Sequence, residues 1–74
     1  MINNLNYTIA IQWSKEDDCF VVFLPEFTNE MQPITHGETY EEALKNAQEV
    51  LEMLVEEYQE DGKALPQIKT LSFA

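Results

Sequence analysis

Three acidic residues, Asp17, Asp18 and Glu38, are the side chains of this sequence best suited to metal chemistry. Clustered carboxylates hold divalent cations, which activate water and stabilise the charge that develops during phosphodiester cleavage. Here, however, two of the acids follow one another in a polar turn, and the third stands far along the chain at the start of a helix. Acids dispersed in this way are typical of solvated loops, so we predict neither a metal site nor a catalytic residue.

The nucleophiles and bases of the sequence lack the neighbours that catalysis requires. His36 is the only histidine and Cys19 the only cysteine, so no second ligand stands at the spacing of a zinc site. Ser14, His36 and an acid have the residue types of a catalytic triad, but no nucleophile-elbow motif accompanies them. We interpret Cys19 as a small buried hydrophobic residue. The sequence therefore predicts a protein that is not an enzyme and uses no cofactor.

The charge balance indicates which partners suit this protein. Fourteen acidic residues stand against four lysines, which gives a net charge of −10. Such a chain is repelled by nucleic-acid phosphates and by anionic membrane surfaces, so we predict that it binds neither. A basic protein suits it better, because opposite potentials speed association. Solubility alone also explains an acidic surface, and that alternative stays open.

Length and cysteine content limit the architecture and the compartment. Residues 1–74 are enough for one domain, near the lower limit for an independently stable core, and oligomerisation is a common supplement at this size. The single cysteine forms no intrachain disulfide. The first residues lack the pattern of a signal peptide, and no apolar run approaches the roughly 20 residues of a membrane span. We predict a cytoplasmic homo-oligomer.

The segment from 37 to 62 predicts a long helix. Thr39 and Glu42 form a T-x-x-E capping box, and the Asp-Gly pair at 61–62 is a stop signal. We expect the helix to run from about residue 40 to about residue 60, with Gly37 supplying a positive φ for the turn before it. Apolar residues recur at three- and four-residue intervals and define a buried face: Ala43, Leu44, Ala47, Val50, Leu51, Leu54, Val55 and Tyr58.

The opposite face of this helix is acidic, with Lys45 as its one cation. A solvated face and a surface for a basic partner both explain it, and the sequence leaves the two open. The acids concerned are Glu41, Glu42, Glu49, Glu52, Glu56, Glu57, Glu60 and Asp61.

Alternation and apolar runs predict four strands around the helix, near residues 7–13, 19–24, 33–36 and 68–73. The element order is then β-β-β-α-β. Hairpin connections make the first three strands antiparallel, and a right-handed crossover through the helix returns the last strand parallel to the first. We predict an α+β fold, with a mixed four-stranded sheet of order 3-2-1-4 and one long helix on one face.

The second strand is apolar on both faces, which has a consequence for assembly. A single helix covers only one face of the sheet, so one set of apolar side chains on this strand is left facing outward. Exposed apolar patches mark interfaces. We assign self-association to Cys19, Val21 and Phe23.

The order of these segments resembles the N-terminal domain of the HicB family of antitoxins. Both begin with a strand carrying an early Tyr, here Tyr7, followed by an acidic turn and an apolar strand that ends in Pro and an acid, here 17–27. A Thr-x-Gly-acid-Thr-x-Glu-Glu-Ala-x-x-Asn-Ala motif then spans 35–47, and Gly-x-x-Leu-Pro spans 62–66. The resemblance covers residues 7 to 67 and implies a reduced RNase H-like fold for a single HicB-like domain.

The resemblance also implies a function and a partner. HicB-like antitoxins belong to type II toxin–antitoxin systems and neutralise a small basic HicA-type ribonuclease by covering its active site. An inhibitor of this kind needs complementary surface and no chemistry of its own. We expect the acids near the strand ends, Asp17, Asp18, Glu26 and Glu30, to bind this partner, because they flank the apolar strand.

Two alternatives remain beside the antitoxin. One is a stand-alone oligomeric interaction or regulatory domain that keeps this fold without a toxin partner. The other is a residual RNase H-like hydrolase, which we disfavour because the middle of the first strand, residues 9–11, carries no acid where such enzymes place an essential carboxylate. Many HicB proteins continue into a DNA-binding domain, whereas this sequence stops at Ala74, so we do not expect it to repress transcription alone.

Overall fold

The computed structural model describes residues 6–71 and contains one helix packed on one face of a small sheet. In chain order the elements are β1 (Ala10–Ser14), β2 (Cys19–Phe23), β3 (Thr35–Gly37) and α1 (Tyr40–Glu60). β2 is central and pairs antiparallel with β1 on one side and with β3 on the other. The α+β arrangement within the described residues is therefore a three-stranded antiparallel sheet covered by one helix.

The predicted four-stranded sheet of order 3-2-1-4 is wrong, and with it the reduced RNase H-like arrangement. Residues 68–71 form no strand, and residues 72 and 73, which would complete the predicted strand, lie outside the described residues. Hydrogen bonds to side chains, rather than to a neighbouring strand, hold this segment in place. The Tyr7 hydroxyl donates to the Pro66 carbonyl oxygen at 2.6 Å, and the Lys69 N–H donates to the Glu26 carboxylate at 3.1 Å. An N–H bound to a carboxylate is not free to pair with a strand.

The start of α1 confirms Thr39 as the N-cap, but the second half of the predicted capping box is displaced by one residue, to the N–H of Glu38. The predicted positive φ of the preceding glycine is wrong. The Glu42 N–H donates to Thr39 Oγ1 at 3.0 Å, and the Glu42 carboxylate accepts from the Glu38 N–H at 2.6 Å. Gly37 does not have a positive φ. Only glycine fits at this position because α1 packs directly against it. A Cβ at Gly37 would come within 2.7 Å of the Ala43 Cα.

The end of α1 confirms the predicted stop. Gly62 takes a left-handed conformation with φ +69. The Lys63 N–H reaches back to the Tyr58 carbonyl at 2.8 Å, and the Gly62 N–H to the Gln59 carbonyl at 3.2 Å. These two bonds form a Schellman motif, which satisfies carbonyl groups that a helix end otherwise leaves unpaired.

The core consists of two adjoining clusters between the sheet and α1. The larger contains the Phe27 ring, which is fully buried and lies 4.9 Å from Tyr7 and 5.8 Å from Tyr58, centroid to centroid. The smaller joins Val22 of β2 to two alanines of α1. Most of the predicted helix face is buried, the clearest exception being Leu44, which is 42% exposed. The helix residues buried in the core are Ala43, Ala47, Leu51, Leu54, Val55 and Tyr58.

The connection from β2 to β3 is held by one side chain. The Gln32 amide accepts from the Leu24 N–H at 2.7 Å and donates to the Leu24 carbonyl at 2.8 Å and to the Phe27 carbonyl at 3.0 Å. It therefore gives Leu24 the two bonds that a neighbouring strand would give. This fixes the loop that buries Phe27.

Candidate functional site

The sheet has a second face, turned away from α1, which is largely made by β2. Phe20 and Val22 belong to the core under the helix, so the alternating residues Cys19, Val21 and Phe23 lie on the opposite face. Gln12 of β1 and His36 of β3 are the cross-strand partners of Val21. The side chains of Gln12, Val21 and His36 therefore form a row across this face.

An open cleft of about 580 Å³ lies beside this row. Its floor includes Val21, which is only 9% exposed, and three carboxylates stand among its lining residues. The lining residues are Asp17, Asp18, Cys19, Val21, Pro33, Ile34, Thr35, His36 and Glu38.

The tight turn between β1 and β2 positions the first two of these carboxylates. The Ser14 hydroxyl donates to Asp17 Oδ2 at 2.9 Å, and the Asp17 N–H donates to Ser14 Oγ at 3.2 Å. Asp18 has φ +54, a left-handed conformation that aspartate adopts more readily than most residues. Both side chains are exposed, so the turn holds two negative charges at the cleft in a defined geometry.

Glu26, another of the predicted partner-binding acids, has an internal position. It is 5% exposed, and its carboxylate accepts from the Thr8 N–H at 3.0 and 3.2 Å, from the Thr8 hydroxyl at 3.0 Å and from the Lys69 N–H at 3.1 Å. Burial opposes ionisation, but the hydrogen bonds from Lys69 and Thr8 outweigh it and hold the pKa of Glu26 below its ordinary value. This carboxylate joins three chain segments.

Glu30 also has a partner within the protein. Its carboxylate accepts a hydrogen bond of 3.0 Å from the Tyr58 hydroxyl. Burial of the phenol, together with this hydrogen bond and the nearby negative charge, raises the pKa of Tyr58. The structure thus divides the four predicted acids: Asp17 and Asp18 line the cleft, whereas Glu26 and Glu30 bind internal groups. Their binding of a partner stays a prediction.

The residues predicted to mediate self-association lie together on the open face but are less exposed than expected. Val21 is buried, and Cys19 and Phe23 are half-buried. The apolar surface that they offer to a second molecule is correspondingly small. Their role in self-association stays a prediction.

Within residues 6–71, no three His, Cys, Asp or Glu side chains are grouped closely enough to hold a metal ion. Over the same residues, no helix combines the length and the apolar character needed to cross a bilayer.

An aromatic patch that was not predicted from the sequence lies on the helix side of the sheet. Its rings are Trp13, Phe20 and Tyr40, and we include the exposed Leu44, which follows Tyr40 by four residues on α1. The Phe20 ring contacts Trp13 at 5.1 Å and Tyr40 at 4.2 Å between centroids, yet Trp13 is 49% and Tyr40 is 64% exposed. The patch is open because α1 packs mainly over β3 and β2 and hardly over β1. The four-residue spacing of Tyr40 and Leu44 was the available signal.

Comparison of the chain with protein-family models, with curated proteins and with solved structures found no match.

Proposed function

We propose that this protein is a HicB-like antitoxin, which acts in the cytoplasm by covering the active site of a small basic ribonuclease of the HicA type. The observation that carries the proposal is the cleft on the open face, where exposed carboxylates stand beside an apolar floor. The sequence motifs from Thr35 to Ala47 supply the family and the kind of partner.

The chemistry of the partner explains why an acidic surface inhibits it. A ribonuclease must attract RNA phosphates, so positive side chains surround its active site. Carboxylates on an inhibitor compete with the RNA phosphates for those side chains. Asp17 and Asp18 suit this role, because the hydrogen bonds to Ser14 hold their turn in place before the partner arrives.

The two components of the cleft contribute to different rates. Exposed charges at the rim of an interface act mainly on the association rate and are screened by salt. Apolar groups at its centre act mainly on the dissociation rate. In the cleft the acids Asp17 and Asp18 are exposed, whereas Val21 is already buried and offers little apolar surface to a partner. The effect on the association rate is therefore the larger one expected of this surface.

The test combines growth rescue with a charge-neutralised variant. The product of the adjacent gene is co-expressed with this chain, and complex formation is measured by pull-down and by association kinetics at several salt concentrations. We expect rescue by the wild type. For the variant D17N/D18N we expect an association rate lower by about 3- to 10-fold at low salt, with little change at high salt. Asparagine keeps the Ser14 contact and tolerates the left-handed position.

A matched control separates the cleft from overall charge. E52Q/E56Q removes the same number of negative charges from the outer face of α1, where both residues are exposed. We expect it to associate nearly as fast as the wild type. If the neighbouring product is not toxic, or toxicity persists with this chain in excess, the antitoxin assignment fails and a stand-alone interaction domain takes its place. If E52Q/E56Q is the slower variant, the interface is the helix face instead.

A further inference from the structure

The outer edge of β1 is unpaired in the described residues, since the sheet order is β1-β2-β3. We propose that β1 pairs antiparallel with β1 of a second copy of this chain about a two-fold axis at Gln12, so that two sheets become one. The inference concerns a different surface from the cleft and does not depend on the proposed function.

The hydrogen bonding of the sheet shows which groups the free edge presents. The Ile34 N–H donates to the Val22 carbonyl at 2.8 Å, so the polar backbone groups of Val22 are directed to the β3 side. Successive residues of a strand direct these groups to opposite sides, so those of Val21 are directed to β1, where its partner is Gln12. By the same alternation, Ile11 and Trp13 present their N–H and C=O groups to the free edge.

A two-fold axis at Gln12 makes this edge complementary to itself. Ile11 then stands opposite Trp13 of the second copy, and Trp13 opposite Ile11 of the second copy. Both are hydrogen-bonded pairs, because these residues present the outward groups. On the helix side of the sheet, the half-exposed Trp13 side chain of each copy lies beside Ile11 of the other copy. Aromatic and β-branched residues are favourable cross-strand neighbours.

Within residues 6–71, the strand β1 itself carries no lysine, proline or bulge that would prevent such pairing. Edge strands are usually protected by lysines, prolines, bulges or a covering segment. The sequence of β1 is AIQWS, with no charge and no proline, and its register with β2 is continuous.

The absence of charge on β1 selects the second copy over a basic partner. A basic protein finds no carboxylate on the strand to attract it. Two copies of a chain of net charge −10 repel one another least along an edge where no acids face each other. The aromatic patch extends this uncharged surface onto Tyr40 and Leu44, both exposed.

Charge substitutions at the two-fold axis test the register. Gln12 is exposed and would face itself across the axis. In sedimentation equilibrium at micromolar concentrations we expect a wild-type dimer. Q12K and Q12E should each weaken it by about tenfold or more, since like charges then meet. An equimolar mixture of Q12K and Q12E should restore the dimer. Q59K, at an exposed position of α1, is the control and should dimerise as the wild type does.

Fluorescence provides a second measurement without substitutions. Trp13 is the only tryptophan, so its emission should shift to longer wavelength on dilution, at the concentration where sedimentation shows dissociation. A wild-type chain that stays monomeric overturns the proposal. So does a dimer that Q12K and Q12E affect no more than Q59K does, which would direct attention to Cys19, Val21 and Phe23. If the variants do not fold, a wild-type dimer whose Trp13 emission is unchanged on dissociation also overturns it.

Discussion

The Glu26 carboxylate accepts a hydrogen bond of 3.1 Å from the backbone N–H of Lys69, a residue 43 positions further along the chain. The same carboxylate accepts from the N–H and the hydroxyl of Thr8. One buried anion thus connects the segment before β1, the loop after β2 and the segment after α1. It also occupies an N–H that the predicted fourth strand would have used.

This arrangement predicts a specific pH dependence for E26Q. The folded-state pKa of Glu26 is lowered, so the unfolded chain binds a proton more readily. The contribution of Glu26 to stability is therefore complete above the unfolded-state pKa and is lost as the pH falls through the folded-state pKa. E26Q should lower the free energy of unfolding at neutral pH by about 1–3 kcal/mol, and the difference from the wild type should shrink toward acid pH.

Urea denaturation of both proteins from neutral to strongly acid pH measures this difference. E52Q serves as the control, because Glu52 is exposed on α1 and its loss should change stability by about 0.5 kcal/mol or less. A stability difference for E26Q that is constant with pH would show that the charge of Glu26 contributes nothing.

Gln32 gives a second prediction, on the loop after β2. Q32A removes the partner of the Leu24 N–H and of two carbonyl groups, and we expect it to cost about 1–3 kcal/mol because those groups are partly buried. Hydrogen exchange at the Leu24 amide should accelerate more than at other β2 amides. The control is Q48A on the exposed surface of α1. Unchanged Leu24 protection in Q32A would contradict the role given to this side chain.

The two glycines should respond differently to substitution. At Gly62 the left-handed φ makes alanine unfavourable by about 1–2 kcal/mol, and G62N should recover part of the loss, since nothing lies within 4 Å of an added Cβ. G37A faces backbone atoms of Ala43 instead, so asparagine there should be no better than alanine. Thermal unfolding of the four variants measures this pattern. Equal rescue by asparagine at both positions would disprove it.

The raised pKa of Tyr58 predicts how the stability of the fold falls at alkaline pH. Burial, and then the bond to Glu30, raise its folded-state pKa. Its contribution is present in full below the unfolded-state pKa and is lost as the pH rises through the higher folded-state value. Y58F should remove that part of the alkaline loss and should cost about 0.5–1.5 kcal/mol at neutral pH. Ultraviolet titration of tyrosinate, compared with denaturation at each pH, tests both. If Tyr58 titrated with the pKa of a free tyrosine, the predicted effect of Y58F on the alkaline loss of stability would be refuted.

Local signals predicted α1 well, because its causes are local. Thr39 and Glu42 cap the start of the helix, and Gly62 ends it. Each of these residues lies within a few positions of the helix end that it determines. The first three strands also follow from alternation and apolar runs, although β1 begins at Ala10 rather than near Tyr7.

The errors came from contacts between distant residues. The apolar pattern from Ile68 onward is compatible with a strand, and only the position of Glu26 determines that the Lys69 N–H bonds a carboxylate. Charged residues are rarely buried, so the sequence placed Glu26 on the surface. For the cleft, the positions of Asp17 and Asp18 followed from the turn. Their nearness to Glu38 and His36 depends on how β3 returns beside β2.

The close contact at Gly37 determines the state of the aromatic patch before any partner is present. Because backbone meets backbone between Gly37 and Ala43, the first turn of α1 has no room to shift toward the sheet. Tyr40 belongs to that turn, and its ring is held over Phe20. The exposed aromatic surface is therefore preorganised: a molecule that docks on it loses little free energy to ordering side chains. A residue with no side chain thus helps to fix a surface whose rings belong to other residues.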